Sequence, residues 1–125
     1  MLNIGILGCG AISSHYLKGS TQIFDRWLKV SACSDILIER AQKSAEEYGV
    51  AKALTPEQLF ADDTTDLVVN LTVPKVHYEL SMRALEAGKH LYTEKPFALT
   101  RAEAAKTLYR VSRLRRENGL LGLFR

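Results

Sequence analysis

Short apolar segments alternate with segments of helical periodicity along this chain. The apolar segments predict six strands, at about residues 3–7, 27–34, 50–53, 66–72, 90–93 and 120–124. Apolar side chains at helical spacing, together with capping signals, predict helices at about residues 11–24, 39–48, 75–87 and 100–118, and a short helix that starts at Thr55. Strands that alternate with helices indicate an α/β domain with a doubly wound, six-stranded parallel sheet and helices on both faces.

The first predicted strand runs directly into a glycine turn. Gly8 permits the turn, and Gly10 lets a ligand approach a backbone that carries no Cβ. Free backbone N–H groups and the positive end of a helix dipole meet at this turn, where they can bind a diphosphate. The pattern, with Ser13 where Gly or Ala is more usual, is that of a dinucleotide-binding Rossmann domain; a turn without a ligand is the alternative. The residues assigned to diphosphate binding are Gly8, Cys9, Gly10, Ala11 and Ile12.

Asp35 ends the second predicted strand, some 25 residues after the glycine turn. At this position a carboxylate can accept hydrogen bonds from both hydroxyls of an adenosine ribose and would repel a 2′-phosphate. The next residues, Ile36 and Leu37, supply no arginine to offset that repulsion, so the sequence favours NAD over NADP. A helix N-cap is the alternative role for Asp35, and the two roles are compatible.

Two further segments follow strands that end at the same edge of the predicted sheet. Thr72–Pro74 follows the fourth strand, and Glu94–Pro96 follows the fifth. Because the carboxyl ends of parallel strands meet at one edge, these segments, the glycine turn and Asp35 are expected to line one crevice. Four converging segments indicate a dinucleotide site more specifically than the glycine turn alone.

Composition and charge argue against several other classes of protein. The 46% hydrophobic and 25% charged residues are typical of a globular protein, and 125 residues suffice for one domain with a core. A net charge of +3 with dispersed basic residues gives no indication of nucleic-acid binding. No apolar run has the length of a membrane span and no secretion signal precedes the first strand, so a cytoplasmic protein without membrane contact is expected.

The cysteines and the acidic run suggest no metal site. Cys9 and Cys33 are expected to be reduced thiols, and neither belongs to a cluster with metal-ligand spacing. The thiol pKa of Cys9 could be lowered at a helix N-terminus, but a small space-filling residue is favoured over a redox role. The polar run Asp62–Thr65 is interpreted as a solvated loop.

Five motifs occur in one order along the chain: Gly5-Ile6-Leu7-Gly8-Cys9-Gly10-Ala11-Ile12, Asp35, Thr72-Val73-Pro74-x-x-His77, Ala87-Gly88-Lys89-His90 and Glu94-Lys95-Pro96. In this order and spacing they resemble the N-terminal domain of the glucose–fructose oxidoreductase/inositol dehydrogenase family, often written Gfo/Idh/MocA. The resemblance covers the whole chain. It implies hydride transfer between a nicotinamide cofactor and the carbinol carbon of a sugar, cyclitol or related polyol. Val73 and Ser13 are small departures from the family's commonest residues.

The resemblance also implies roles for individual residues. A hydroxyl that loses hydride must lose a proton, and Lys95 is the matching acid/base, because a nearby nicotinamide cation would favour its neutral form. Glu94 would orient Lys95 or hold the nicotinamide ribose, and an exposed loop with a surface ion pair is the alternative for this segment. His77 lies close to the cofactor in the family, although an ordinary helix-start residue fits the sequence equally well. The remaining cofactor-binding residues implied are Leu71, Thr72, Val73, Pro74, His77, Glu94, Lys95 and Pro96.

Residues 1–125 are expected to form one dinucleotide-binding domain. In the family a second domain follows, which completes the substrate site and supports homo-oligomers; the resemblance implies that this chain lacks it. Weak NAD binding and negligible turnover are therefore expected of the chain alone. Two alternatives remain: a non-catalytic dinucleotide sensor, and a relative of sugar-cleaving hydrolases that use bound NAD.

Overall fold

A computed structural model describes residues 2–93, 101–118 and 122–124 of the chain. Its strands are β1 (Leu2–Leu7), β2 (Leu28–Ser34), β3 (Ala53–Leu54), β4 (Leu67–Asn70), β5 (His90–Thr93) and β6 (Gly122–Phe124). Its helices are α1 (Ser13–Lys18), α2 (Ile38–Tyr48), α3 (Pro56–Phe60), α4 (Pro74–Glu86) and α5 (Arg101–Asn118). The strands form one parallel sheet in the order β3-β2-β1-β4-β5-β6, which confirms the predicted doubly wound Rossmann fold.

Each face of the sheet is covered by its own hydrophobic core. One core joins β1, β2 and β4 to α1 and α2, through residues such as Ile6, Leu17 and Ala41. The other joins the same strands to α3 and α4, through residues such as Leu59 and Leu85. Both faces of the central strands are therefore buried, which explains their continuous apolar runs. Each fully buried leucine or isoleucine contributes about 1.5–3 kcal/mol to this packing.

The first helix departs from its prediction. A single helix was expected over residues 11–24, but α1 ends at Lys18 and the chain continues as a π-helical turn over Gly19–Ile23. In that turn the Phe24 N–H donates to the Gly19 carbonyl, five residues back, at 2.9 Å. The helical spacing of the sequence makes Ile23 available for burial, but in the π-helical turn its side chain is 65% exposed.

Local capping signals agree with the structure at the other described helix ends. Gly49 follows α2 in the left-handed conformation with φ +68°, as a C′ glycine does. Before α3, Gln58 N–H donates to Thr55 Oγ1 at 3.3 Å, and Thr55 N–H donates to Gln58 Oε1 at 3.0 Å, which is the predicted capping box. The capping box predicted for α5 includes Thr100, which lies outside the described residues.

The acidic run before β4 is only partly solvated, so its prediction is corrected. The Asp62 carboxylate, 11% exposed, accepts hydrogen bonds from Lys52 Nζ at 2.9 and 3.1 Å and from Thr65 Oγ1 at 2.8 Å. Burial alone would raise the pKa of Asp62, but these bonds, together with those from Thr64, hold it well below its usual range. Thr65 in turn bonds Ser31 of β2 at 2.7 Å. The run therefore ties the start of β4 to its neighbours at the edge opposite the strand carboxyl ends.

None of the helices in residues 2–93 and 101–118 combines the length and the apolar character needed to cross a bilayer.

Candidate functional site

The glycine turn after β1 packs directly against the end of β4. Gly8 has φ +99°, and a Cβ at this position would lie 2.9 Å from both the Leu71 carbonyl carbon and the Thr72 nitrogen. Any side chain here would be strained and would clash with backbone, so the turn requires glycine. Gly10 differs, because a Cβ there would have no heavy atom within 4 Å. The open space over Gly10 is where a ligand can approach the backbone.

Asp35 holds the glycine turn against the end of β2. The Cys9 N–H donates to Asp35 Oδ2 and the Leu37 N–H to Asp35 Oδ1, both at 2.8 Å, and the Gly8 N–H donates to the Ser34 carbonyl at 2.8 Å. The N-cap of α2 is Leu37, without a side-chain cap, so the alternative role of Asp35 as a helix N-cap is wrong. Each carboxylate oxygen keeps a further lone pair for another donor.

The donors next in the chain remain available. Within the part of the chain that the structure describes, the N–H groups of Gly10, Ala11 and Ile12 have no protein acceptor. Ile12 directly precedes α1 and its side chain is 46% exposed, although burial was expected. Three successive unpaired N–H groups before a helix form a suitable site for an anion.

Two cavities flank the glycine turn. The first, about 240 Å³, brings together three of the four segments predicted to converge. It is lined by Gly8, Gly10, Asp35, Ile36, Leu37, Arg40, Leu71, Thr72, Val73 and Val76. The second, about 500 Å³, lies between the turn and α2. Its lining includes Cys9, Gly10, Ala11, Arg40 and Lys43.

Arg40 is a site residue that the sequence interpretation missed. It lines both cavities and lies in the first turn of α2, five residues after Asp35. The interpretation considered only the residues that directly follow Asp35. The signal was available, because a helix that begins just after Asp35 has its first turn, and so Arg40, at the carboxyl end of the sheet.

A buried polar network joins the ends of β4 and β5 to α4. Asn70, which is fully buried, donates from Nδ2 to the His77 carbonyl at 3.0 Å and to Ser81 Oγ at 2.9 Å. Its Oδ1 accepts from Thr72 N–H at 3.1 Å and from Thr72 Oγ1 at 2.6 Å. Asn70 therefore fixes the conformation of the chain where it leaves β4 and enters α4 at Pro74.

His77 extends this network to β5. It is 2% exposed, with Nδ1 at 3.3 Å from the Thr72 carbonyl and Nε2 at 2.7 Å from Thr93 Oγ1. A carbonyl only accepts, so Nδ1 carries the proton and Nε2 accepts from the Thr93 hydroxyl. Burial lowers the pKa of His77, opposed in part by the Thr72 carbonyl, which favours this neutral form. The structure thus shows His77 as a buried link between two segments of the site.

Three predicted site residues, Glu94, Lys95 and Pro96, lie outside the described residues. Thr93, directly before them, is fully buried at the end of β5. Tyr92, predicted to be a core residue, packs against the first core and forms an edge-on contact with Tyr16, with ring centroids 6.2 Å apart. Among the residues that the structure does describe, no group of three His, Cys, Asp or Glu side chains is arranged to hold a metal ion.

Protonation of His77 should destabilise the fold. Its pKa is lowered on folding, so the unfolded chain takes up more protons below about pH 6.5, and stability is lost as the pH falls from there towards the folded pKa. The free energy of unfolding should fall by up to about 1.4 kcal/mol per pH unit as the pH is lowered from 8 to 5. Urea titrations at intervals of about one pH unit measure this change. The H77Q variant should lose this pH-dependent part of the stability. At neutral pH it should also be less stable than the wild type by about 1–3 kcal/mol, because the buried hydrogen-bond partners of the imidazole lose their bonds.

The control is H15Q, since His15 is exposed on α1. H15Q should keep the wild-type pH dependence. An H77Q protein with an undiminished pH dependence would contradict the assignment.

Comparisons with known proteins agree with this geometry. A family described as "Oxidoreductase family, NAD-binding Rossmann fold" (GFO_IDH_MocA) matches residues 2–119. The inositol 2-dehydrogenase/D-chiro-inositol 3-dehydrogenase of Lactiplantibacillus plantarum is 37% identical over 99 residues, which are 77% of this chain and 28% of that protein. The myo-inositol 2-dehydrogenase of Thermotoga maritima is 31% identical over 108 residues, 86% of this chain and 32% of that protein.

A solved structure is similar over nearly the whole chain. KijD10, a 3-ketoreductase from Actinomadura kijaniata in complex with NADP and TDP-benzene, superposes with a TM-score of 0.85 at 27% identity, covering 98% of this chain and 36% of that one. The chain thus spans about a third of the length of these relatives. The family match over residues 2–119, the strand order and the glycine turn lead to one conclusion: the chain belongs to the Gfo/Idh/MocA oxidoreductase family and forms its NAD(P)-binding Rossmann domain.

Proposed function

We propose that this chain is the cofactor-binding part of an oxidoreductase that transfers hydride between NAD and the carbinol carbon of a sugar, cyclitol or related polyol. The observation that carries the proposal is the cleft over Gly10 at the carboxyl ends of the strands, where the backbone carries no Cβ and three successive N–H groups have no acceptor among the described residues. The names of the relatives support the substrate class, since two are inositol dehydrogenases and one is a 3-ketoreductase.

The described residues offer suitable contacts for the diphosphate, the adenosine ribose and the adenine of the cofactor. The unpaired N–H groups of residues 10–12 suit the diphosphate, and the Asp35 carboxylate suits the hydroxyls of the adenosine ribose. Ile36, Val73 and Val76 supply apolar surface in the same cavity, which suits the flat adenine ring. When bound, the nicotinamide would accept or return the hydride.

The proton in this reaction is assigned to Lys95. Its segment follows β5, whose carboxyl end is adjacent to that of β4 in the sheet. Removing a hydroxyl proton as the hydride leaves requires a base beside the reacting carbon, and a lysine next to a cationic ring is shifted towards its neutral, proton-accepting form. Glu94 would orient the amine, and the buried pair of His77 and Thr93 supports the strand end that precedes it.

The cleft is tested with G10A. Among the described residues no atom lies within 4 Å of a methyl group at residue 10, so the fold should be retained while the diphosphate loses its close approach to the backbone. The dissociation constant for NADH, measured by calorimetric titration, should rise by about tenfold or more. G19A is the matched control, because a methyl there also meets open space but lies in the π-helical turn. Absence of binding to the unsubstituted chain at millimolar NADH would overturn the proposal.

The preference for NAD rests on the balance between Asp35 and Arg40, which line the same cavity. The carboxylate opposes a 2′-phosphate, and the guanidinium partly compensates, so NAD should bind more tightly than NADP without excluding it. D35N should lower the ratio of the NADP to the NAD dissociation constant by about tenfold, and R40M should raise it.

This ratio is the informative quantity, because Asp35 also holds the glycine turn. Loosening of the turn would weaken both cofactors equally and cancel in the ratio. An equal loss of NAD and NADP affinity in D35N would contradict its role at the ribose.

The assignment of Lys95 is tested by chemical labelling. Bound NAD should protect Lys95 from acetylation, since the amine would lie against the nicotinamide, and mass mapping of the lysines reports this directly. Lys29 is the internal control, because it is exposed near the opposite end of β2. K95M should still bind NAD, as a proton-transfer residue is not needed for affinity. Equal labelling of Lys95 with and without a saturating amount of NAD would contradict its place in the site.

A further inference from the structure

A third cavity, of about 290 Å³, adjoins the cleft beside the glycine turn. It shares two lining residues, Ile36 and Val76, with the 240 Å³ cavity that Asp35 lines. Ile36 directly follows Asp35 and is 61% exposed, so its side chain offers apolar surface to both cavities. The two cavities therefore meet at an apolar boundary.

Helix α4 gives the direction in which the third cavity extends. Val76 lines both cavities, and Glu79, Leu80 and Arg83, which lie further along the helix, line the third. Residues three and four apart lie on one face of a helix, with a rise of about 1.5 Å for each residue. The third cavity thus continues along α4 from Val76, away from the end of β4 where the helix begins.

Three charged side chains line the third cavity, and two of them form an ion pair. Arg83 Nη1 lies 3.3 Å from Glu57 Oε1, and the Arg83 guanidinium lies 5.2 Å from the centre of the Phe60 ring. Within the part of the chain that the structure describes, Glu79 has no hydrogen bond or ion pair. The cavity therefore contains one carboxylate whose oxygens can accept hydrogen bonds from a ligand.

The order of the contacts determines which part of a bound cofactor would meet this carboxylate. With the diphosphate at residues 10–12 and the ribose at Asp35, the base joined to that ribose would lie at Ile36 and Val76. The far edge of the base would then point along α4 into the third cavity. Adenine carries an exocyclic amine, which donates hydrogen bonds, where hypoxanthine carries a carbonyl oxygen, which only accepts them.

We propose that Glu79 is a specificity residue of the cofactor site, which accepts a hydrogen bond from the exocyclic amine of adenine and disfavours a base with a carbonyl oxygen at that position. The inference rests on the proposed function, from which it takes the location of the base. A carboxylate opposite a carbonyl oxygen places two acceptors against each other, so the hydrogen bond is lost and the base is repelled. Because Glu79 is exposed, solvent screens part of this effect.

The test compares two cofactors that differ only in the base, NADH and reduced nicotinamide hypoxanthine dinucleotide, by calorimetric titration of the whole chain. The unsubstituted chain should bind the hypoxanthine cofactor about three- to tenfold more weakly. E79Q should bring the ratio of the two dissociation constants close to one, because a glutamine amide can accept from an amine or donate to a carbonyl oxygen. E86Q is the matched control and should keep the ratio, since Glu86 is an exposed carboxylate on the same helix that does not line the third cavity.

The ratio separates base recognition from the general strength of binding, because a loosened site weakens both cofactors alike. Equal dissociation constants for the two cofactors in the unsubstituted chain would overturn the role of Glu79 and leave the proposed function standing. An unchanged ratio in E79Q would also overturn it, since other groups would then discriminate between the bases. Absence of NADH binding to the unsubstituted chain would refute the proposed function, and this inference with it.

Discussion

The close packing of the glycine turn against the ends of β2 and β4 is the contact on which the site depends. Gly8 lies so near the Leu71–Thr72 backbone that no side chain fits, and Asp35 accepts the Cys9 N–H across the gap to β2. These contacts use the N–H groups of residues 8 and 9 internally. In the part of the chain that the structure describes, the next three N–H groups have no protein acceptor, so the bonds that hold the turn also determine which donors are left for a ligand.

The other half of the site depends on a buried polar network rather than on glycine. Asn70 and His77 connect the chain after β4, the helix α4 and the end of β5. Their polar atoms are buried, so each lost bond would leave a partner unsatisfied at a cost of about 1–3 kcal/mol. Such a network fixes one arrangement of the ends of β4 and β5, and it reaches the cleft through Thr72, which lines the 240 Å³ cavity.

Helix α2 gives the cleft its charge balance. Asp35 and Arg40 line one cavity, and Arg40, Lys43 and Glu47 line the other, so acidic and basic side chains are present in both cavities beside the glycine turn. A diphosphate is an anion and binds best near basic groups, whereas the hydroxyls of a ribose donate hydrogen bonds and bind best near a carboxylate.

The sequence by itself determined the fold class, the glycine turn, the end of α2 at Gly49 and the start of α3 at Thr55, because these depend on local patterns: apolar runs, capping residues and glycine positions. Only the tertiary structure decided which side chains meet. Ile23 in the π-helical turn is exposed, the carboxylate of Asp62 is only 11% exposed, Arg40 lines the cavity of Asp35, and His77 reaches Thr93. Most of these features are contacts between residues on different elements, and the exposure of Ile23 depends on a helical turn whose geometry the apolar periodicity does not specify. Local sequence patterns therefore do not predict them.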